Sequence, residues 1–280
     1  MLSYRHLFHA GNAADVLKHA LLVHLFKALG KNPKPYFYLD THAGTGRYDL
    51  THGWAQKARE YENGIGRLWA RTDLPATLQR YMDLVRAENP GGKLRHYPGS
   101  PLIALRLRRP GDRMVFNELN KKDCADLEAL ASHERHVAVH LMDGYQSLKA
   151  FLPPAERRGL VLIDSSFDRA REFPRIVRAL VEAHSRWATG IYAVWYPLMD
   201  AETLAAFERG IRRTAIRKVL RLELCTLPSG PADNIPGSGM LVVNPPWHFD
   251  IEARTILDWL WRALAVDGAG GARVDWLILE

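Results

Sequence analysis

Residues 36–46, Tyr-Phe-Tyr-Leu-Asp-Thr-His-Ala-Gly-Thr-Gly, constrain the fold more than any other stretch of the chain. An apolar run that favours a β-strand ends at Asp40, and a turn of small residues follows, with Gly44 and Gly46 two positions apart. Glycine permits a positive φ and a close approach of the backbone to a ligand. This order is typical of a nucleotide pocket at the carboxyl end of a parallel strand, although ordinary strand–helix turns also contain Gly-x-Gly.

Three later apolar runs also end in acidic residues. The predicted strands are 36–40, 113–118, 137–142 and 160–163, and the acids at their ends are Asp40, Glu118, Asp143 and Asp164. In a parallel sheet these ends share one edge, so four carboxylates would converge beside the glycine turn. A carboxylate at the end of the second strand suits ribose hydroxyls, because it accepts two O–H bonds. The sequence has no Gly-x-x-x-x-Gly-Lys-Ser/Thr loop for a triphosphate, so we expect an adenosine ligand, and the cationic S-adenosylmethionine fits best.

The remaining pattern predicts an α/β protein with a Rossmann-like, seven-stranded sheet and a small helical insertion. Further strands are predicted at 191–195, 218–227 and 239–243, and a helix at 252–265 precedes a short β-like tail. About 70 residues separate Gly46 from Glu118, far more than a dinucleotide fold needs between its first two strands. Two helical segments, 54–70 and 74–89, fill this interval. We therefore assign residues 1–49 and 96–280 to the main domain and 50–95 to the insertion.

Composition limits the partners and the compartment. The 280 residues carry a formal net charge of +7 and a pI near 9.5, which favours a polyanionic partner. The two cysteines, Cys124 and Cys225, are too few for a disulfide framework or a cysteine-based zinc site. We see neither a membrane-spanning apolar run nor a signal peptide, so we expect a cytoplasmic protein.

The amino-terminal residues 1–11 are too polar for a core strand and too aromatic for a disordered tail. They either pack on the surface or fold over a site, with Tyr4 or Phe8 free to stack and Arg5 or His6 free to meet phosphate. Asn12 is predicted to begin a helix that ends at Gly30. Lys18 and His19 lie near its start. Lys18 is either a ligand-binding group or a surface charge, and His19 is either a ligand-binding group or a half-buried imidazole.

A specific family resemblance follows from two motifs. They are Tyr4-Arg-His-x-Phe-His-Ala-Gly-Asn-x-Ala-Asp-Val-x-Lys-His19 and Asp40-Thr-His-Ala-Gly-x-Gly-x-Tyr48. With them, nearly the whole chain resembles the bacterial 23S ribosomal RNA adenine-N6 methyltransferases of the J type. The resemblance implies a monomer that uses S-adenosylmethionine to methylate one adenine of 23S RNA, either naked or in an early assembly intermediate, and no membrane partner.

The resemblance also implies roles for particular residues. Asp164 would be the catalytic acid/base, and Tyr4, the Ser165 carbonyl and the Phe167 ring would contact the target nucleotide. The cofactor set, including the residues of the glycine turn, is Lys18, His19, Asp40, His42, Gly44, Gly46, Ser100, Glu118, Asp143 and Gly144. Ser100 is also expected to cap a helix that begins at Pro101.

One stretch departs from the pattern of adenine-N6 methyltransferases, which have Asp/Asn-Pro-Pro and an aromatic residue after strand four. Here the sequence is Asp164-Ser-Ser-Phe167, so the acid and the aromatic ring remain but both prolines are missing. Because proline fixes φ, their loss is expected to impair positioning without abolishing the chemistry. Asn244-Pro-Pro-Trp247 matches the missing pattern but follows the last predicted strand of the sheet, so we interpret it as a structural turn.

Three alternatives remain open from the sequence. A relative that binds cofactor and RNA with weakened catalysis would explain the two serines. A metal-dependent nuclease or phosphoesterase would explain the many histidines and acids, although no tight His-x-x-x-His pair lies on a predicted helix, and we assign no metal ligands. A DNA adenine methyltransferase would use the same chemistry, and only the family resemblance favours RNA over DNA.

Overall fold

The computed structural model describes residues 5–167, 171–228 and 235–279, so the predicted substrate contact Tyr4 lies outside the described residues. Within these ranges the α-helices are α1 Ala13–Gly30, α2 Gly53–Ala58, α3 Ile65–Trp69, α4 Ala76–Ala87, α5 Ser100–Leu107, α6 Lys121–Ala131, α7 Gly144–Phe151, α8 Glu172–Arg186, α9 Ala201–Arg212 and α10 Phe249–Leu264. The strands are β1 Phe37–Asp40, β2 Arg47–Asp49, β3 His96–Pro98, β4 Arg113–Glu118, β5 Val137–Leu141, β6 Gly159–Ile163, β7 Ile191–Pro197, β8 Val219–Cys225, β9 Gly237–Val243 and β10 Gly271–Ile278. Short 3₁₀ helices occupy His6–Phe8 and Glu60–Asn63.

The main sheet has the strand order β10-β8-β9-β7-β6-β1-β4-β5 over the described residues. The five strands from β7 to β5 run parallel, and β9, β8 and β10 add an antiparallel edge. The α/β class is confirmed, but the count of seven strands is wrong. The tail that follows α10 pairs along the whole of β8 and becomes an eighth strand.

Helices cover both faces of the sheet, and the alternation of β1 shows why. Tyr36 and Tyr38 contribute to the core beneath α1, α5 and α10, whereas Phe37 and Leu39 contribute to the core beneath α7, α8 and α9. Successive side chains of a strand point to opposite faces, so an apolar run without alternation is buried on both sides. The resulting three-layer arrangement places β1 in the middle of the parallel strands.

Helix α1 is buried almost all round, which its sequence stripe did not predict. Asn12 caps it as expected, since its side chain accepts a hydrogen bond from the Asp15 backbone N–H. Lys18 is only 4% exposed, so its interpretation as a surface charge is wrong, and His19, at 1% exposed, is fully rather than half buried. The helix packs against α4, α5, α10 and β9, and its polar residues therefore face other parts of the protein.

The interval 50–95 contains three short helices, α2 to α4, rather than the two predicted. The two-stranded ribbon of β2 and β3 brackets this interval, and α4 buries Leu78, Tyr81 and Val85 in the same core as α1. Its status as a separate subdomain stays a prediction. Among the described residues, no helix is long and apolar enough to cross a membrane.

Candidate active site

The carboxyl ends of β6, β1, β4 and β5 meet at one edge of the sheet. Asp40 lies opposite Phe116 of β4 and Leu162 of β6, and Glu118 lies opposite Leu141 of β5. The Gly44 backbone N–H donates to the Glu118 carboxylate at 2.8 Å, which joins the glycine turn to the end of β4. The sheet therefore assembles the edge that the acids at the strand ends predicted.

Two glycines at this edge are required by close packing. Gly44 has φ +62°, and a Cβ placed on it would lie 2.3 Å from the Tyr48 hydroxyl oxygen. A Cβ on Gly144 would lie 2.2 Å from the Thr41 carbonyl oxygen and within 3 Å of the His42 ring. The turn after β1 and the start of α7 are consequently packed tightly against each other, and only glycine fits at these two positions.

A buried chain of charges links α1 to the end of β6. The Lys18 ammonium lies 2.5 Å from the Asp164 carboxylate and 2.8 Å from the Asp15 carboxylate. Burial by itself lowers the pKa of Lys18, but the two carboxylates outweigh it and hold the pKa well above its ordinary value. The second oxygen of Asp15 meets the His6 ring at 3.0 Å and the Gly11 backbone N–H at 2.9 Å. Asp15 therefore connects the amino-terminal arm to the Lys18–Asp164 pair.

Asp40 and Ser100 lie beneath this edge. The Tyr38 hydroxyl donates to the Asp40 carboxylate at 3.0 Å, and the Ser100 hydroxyl also hydrogen-bonds it. Burial raises the pKa of Asp40 to about 6. The predicted capping role of Ser100 is wrong, because Gly99 is the N-cap and Ser100 is the first helical residue of α5. The buried carboxylate thus supports the glycine turn from below.

Glu118 and Asp143 are held differently. The Glu118 carboxylate accepts the backbone N–H groups of Gly44 and Asn120, and burial raises its pKa. Asp143 caps α7 through the Tyr145 and Gln146 N–H groups and pairs with Arg175 at 2.7 Å. Burial tends to raise the pKa of Asp143, but these hydrogen bonds and the Arg175 charge lower it below its usual value. Glu118 keeps lone pairs for a ribose, whereas much of the Asp143 carboxylate is already engaged.

The two predicted cofactor histidines are in different places. The His19 ring is bonded to the Tyr97 hydroxyl at 2.8 Å, and burial lowers the pKa of His19 to about 3, so it stays neutral. His42 is half-buried at the strand edge, bonded to the Thr41 hydroxyl and edge-on to the Tyr145 ring. Burial also lowers the pKa of His42. His42 borders the site, and His19 supports it from the interior.

Phe167 closes the other end of the edge. Its ring packs edge-on against Trp195, with 5.7 Å between centroids, and against Phe173 at 4.9 Å. The Lys18 ammonium lies 5.9 Å from the centre of the same Trp195 ring. Ser165, between Asp164 and Phe167, is buried. The acid, the lysine and the aromatic ring therefore share one neighbourhood.

Sequence reasoning missed three supporting residues. Asp15 was given no role at the site, Arg175 was not considered as the partner of Asp143, and Tyr97 was not linked to His19. The i, i+3 spacing of Asp15 and Lys18 on a mostly apolar helix was the available signal for the first. Arg175 and Tyr97 come from distant segments, and nothing in their local sequence announced them.

The donor set suits a cationic nucleoside cofactor. Asp15, Asp40, Glu118, Asp143 and Asp164 lie along or beneath the edge, with Lys18 as the internal counter-charge. Carboxylates would bind ribose hydroxyls and attract a sulfonium, and they would repel a triphosphate.

Asn244-Pro-Pro-Trp247 is at the opposite edge of the sheet. Val243 pairs with Tyr192 near the start of β7, so the segment follows the amino ends of the parallel strands. The Asn244 amide donates to the Ala188 and Gly190 carbonyls, both at 2.8 Å. These contacts agree with the interpretation of this segment as a structural turn.

The histidines of the arm and the turn bond to protein groups. His6 meets Asp15, His9 meets Glu60, and His42 meets Thr41. A search of the described residues for three or more His, Cys, Asp or Glu side chains arranged around a common metal position found none.

Comparison with known proteins identifies relatives of full length. A family model described as ribosomal RNA large subunit methyltransferase D, RlmJ, matches residues 33–278. Proteins named ribosomal RNA large subunit methyltransferase J from Haemophilus influenzae and Escherichia coli are 44% and 43% identical, each over 100% of both chains. The crystal structure of the Legionella pneumophila protein LPL1258 aligns with a TM-score of 0.87 at 35% identity, covering 95% of this chain and 97% of the other.

Proposed function

Since the chain belongs to the RlmJ family of ribosomal RNA large subunit methyltransferases, we propose that it methylates N6 of one adenine in 23S ribosomal RNA. The methyl donor is S-adenosylmethionine. The observation that carries the proposal is the Lys18–Asp164 pair at the edge of the sheet beside the glycine turn, in a chain that matches the family over its full length. The substrate is RNA, naked or in an early assembly intermediate, the enzyme acts as a monomer, and its place of work is the bacterial cytoplasm.

The cofactor residues divide into two groups. His42, Gly44, Glu118 and Gly144 border the edge and would contact the ligand, with Glu118 taking the ribose hydroxyls. The remaining cofactor residues support them. Lys18 pairs with Asp164, His19 bonds to Tyr97, Asp40 bonds to Ser100 and Asp143 pairs with Arg175, and Gly46 belongs to the glycine turn. When bound there, S-adenosylmethionine supplies an electrophilic methyl group on a sulfonium.

Asp164 acts on the adenine amine. An exocyclic adenine amine is a poor nucleophile, because its lone pair is delocalised into the ring. The Asp164 carboxylate and the Ser165 carbonyl accept its two N–H bonds, which favours a localised lone pair. Lys18 keeps Asp164 in place, and Asp164 then takes the proton that the methylated amine loses. Holding the amine in this position contributes most of the rate.

Phe167 provides the stacking surface for the base. Its ring is fixed by Phe173 and Trp195, so little conformational entropy is lost when a base covers it. The adenine must leave its stack to reach Asp164, and recognition of RNA commonly uses bases splayed onto aromatic side chains. Tyr4 is proposed as a second contact to the nucleotide.

The test is mass spectrometry of RNA after incubation with the protein and S-adenosylmethionine. We expect N6-methyladenosine at one position of protein-free 23S RNA and none in a DNA of the same sequence. Asp164→Asn is the matched control, and it should bind the cofactor without transferring the methyl group. Methylation of the DNA would overturn the choice of substrate. Cofactor binding without any transfer of the methyl group to RNA would overturn the proposed reaction.

A further inference from the structure

A cavity lies beside the glycine turn, and Asp164 is not among the residues that line it. This arm cleft has a volume of about 510 Å³, and we define it by Arg5, His6, Trp54, Asp123 and Asp126. Its walls come from the amino-terminal arm, the β2 segment, α2 and α6, and it shares Gly44 with the cofactor edge. Cavities of this size hold ligands as large as a nucleotide.

One wall of the arm cleft is a preassembled stack of rings. The Phe8 and Trp54 rings are nearly parallel, at 14°, with centroids 5.5 Å apart. The Arg5 guanidinium lies 5.6 Å from the centre of the Trp54 ring, and the His52 ring packs edge-on against Trp54. Trp54 is nonetheless 39% exposed. Aromatic rings and arginine planes are the surfaces on which proteins stack unpaired bases.

The charges of the arm cleft favour a nucleoside over bare phosphates. The cations Arg5, Arg47 and Lys122 are balanced by Asp49, Asp123 and Asp126. Arg5 already faces Asp123 at 3.8 Å, and Arg47 faces Glu88 at 3.3 Å. A groove that follows a phosphate backbone carries an excess of positive charge. Carboxylates instead accept N–H and O–H bonds from base edges and ribose.

The position of the arm cleft ties it to the target site. His6, which lines it, meets Asp15, and Asp15 meets Lys18, which holds Asp164. An occupant of the arm cleft would therefore lie a few side chains from the reacting amine, on the same RNA strand. His6 contributes both to the cleft and to the contact with Asp15, whereas Arg5 lines the cleft and pairs with Asp123.

We propose that the arm cleft binds one unstacked nucleoside of the RNA substrate, next to the target adenine. The base stacks on the wall formed by Arg5 and Trp54, whose ring is held by Phe8 from outside the cleft lining, and Asp126 accepts a hydrogen bond from the nucleoside. This inference depends on the proposed function for its choice of RNA. It adds a contact that selects the sequence or shape around the target, separate from the residues that carry out the transfer.

The experiment measures RNA affinity and methylation together. Trp54→Ala should weaken binding of a 23S RNA fragment about tenfold, as expected for loss of one stacked base, and raise KM with kcat nearly unchanged. Trp247→Ala is the matched control, because Trp247 is 85% exposed at the opposite edge of the sheet. Asp126→Asn repeats the test without touching any ring, and its control is Glu128→Gln, an exposed residue of α6 that does not line the cleft.

RNA fragments with a single abasic nucleotide near the target identify the occupant. At one position the abasic substitution should weaken RNA binding by the wild-type protein. On that fragment the wild-type protein and Trp54→Ala should then have the same affinity. Equal RNA affinities of Trp54→Ala and Trp247→Ala would overturn the proposal. It would also be overturned if Trp54→Ala bound every abasic fragment more weakly than the wild-type protein does. Affinity is measured without turnover, so a protein that binds RNA but transfers no methyl group would refute the proposed function while the result for the arm cleft still stands.

Discussion

Two loops of this protein carry related sequences at opposite edges of one sheet. Asp164-Ser-Ser-Phe167 follows β6 and is held by the buried ammonium of Lys18 and by the Trp195 and Phe173 rings. Asn244-Pro-Pro-Trp247 follows β9, and Asn244 donates to two carbonyls while Trp247 is largely exposed. The second loop has the prolines of the family motif, but the first has the charged partner.

The comparison shows that strand direction decides what such a motif does. β6 runs parallel to β1, so its carboxyl end reaches the glycine turn. β9 runs antiparallel to β7, so its carboxyl end reaches the other edge. The same residue types thus lie beside the glycine turn in one loop and form a turn between a strand and a helix in the other. Asn244, at φ +53°, also takes a left-handed conformation that asparagine tolerates better than most residues.

The largest expected effect is a loss of methyl transfer when the acid of the first loop is replaced. Asp164→Asn should reduce single-turnover methyl transfer by about 10³-fold, since the side chain keeps its size but loses the proton acceptor. Cofactor affinity, measured by calorimetry, should stay near that of the wild type.

Asn244→Ala is the control for this prediction. It should leave methyl transfer unchanged and lower the free energy of unfolding by about 1–2 kcal/mol, because the exposed Ala188 carbonyl and the partly buried Gly190 carbonyl lose their donor. Loss of transfer in Asn244→Ala with cofactor binding intact would reverse the assignment of the two loops.

The second prediction removes the charge that distinguishes the first loop. Lys18→Met should slow methyl transfer about 100-fold through misplacement of Asp164. It should also cost about 3–5 kcal/mol of stability, because Asp15 and Asp164 lose their buried counter-charge. Denaturant unfolding and single-turnover assays measure the two effects.

Lys27→Met, on the exposed side of the same helix, provides the comparison for Lys18→Met. It should change stability by less than about 0.5 kcal/mol and leave the rate unchanged. A Lys18→Met protein as stable and as active as Lys27→Met would show that the buried pair is dispensable.

The third prediction concerns pH. Burial raises the pKa of Asp40 to about 6, above its unfolded value near 3.9, so the folded state holds this proton more tightly. The stabilisation is complete below about pH 4 and is lost as the pH rises through 6. Between these values Asp40 should lower the free energy of unfolding by about 1.4 kcal/mol per pH unit.

Asp40→Asn should remove this part of the pH dependence of the free energy of unfolding. Asn244→Ala, at the other edge of the sheet, should keep it. Denaturant titrations from pH 4 to pH 7 measure the slope, which is more informative than the absolute stability because the amide rearranges local hydrogen bonds. Parallel curves for wild type and Asp40→Asn would mean that Asp40 is already ionised at low pH.

The smallest expected effect comes from exchanging serine and proline in the two loops. Ser165→Pro with Ser166→Pro restores the family motif and should raise the single-turnover rate about two- to fivefold, through a stiffer loop worth about 1 kcal/mol at most. Pro245→Ser with Pro246→Ser, in the other loop, should leave the rate unchanged. Equal rates in the restored and natural loops would show that the Lys18 contact already fixes Asp164.

The order of strands, acids and glycines in the sequence was enough to predict the α/β class and the edge where the acids converge, because local apolar runs report strands and the carboxyl ends of parallel strands share an edge. The motif in residues 4–19 was specific enough to indicate the family. The sequence also predicted that Asn244-Pro-Pro-Trp247 lies at the other side of the sheet from the glycine turn, although its residues match the motif.

Only the tertiary structure decided which polar residues are buried and what they meet. Lys18 bridges Asp15 and Asp164 across about 150 residues of chain, and Arg175 reaches back to Asp143. The eighth strand, β10, forms by pairing with β8, and the sequence of a short apolar tail does not predict that pairing. Local sequence reports propensity and periodicity, whereas burial and partnership depend on segments far apart in the chain, and these set the charges of the site.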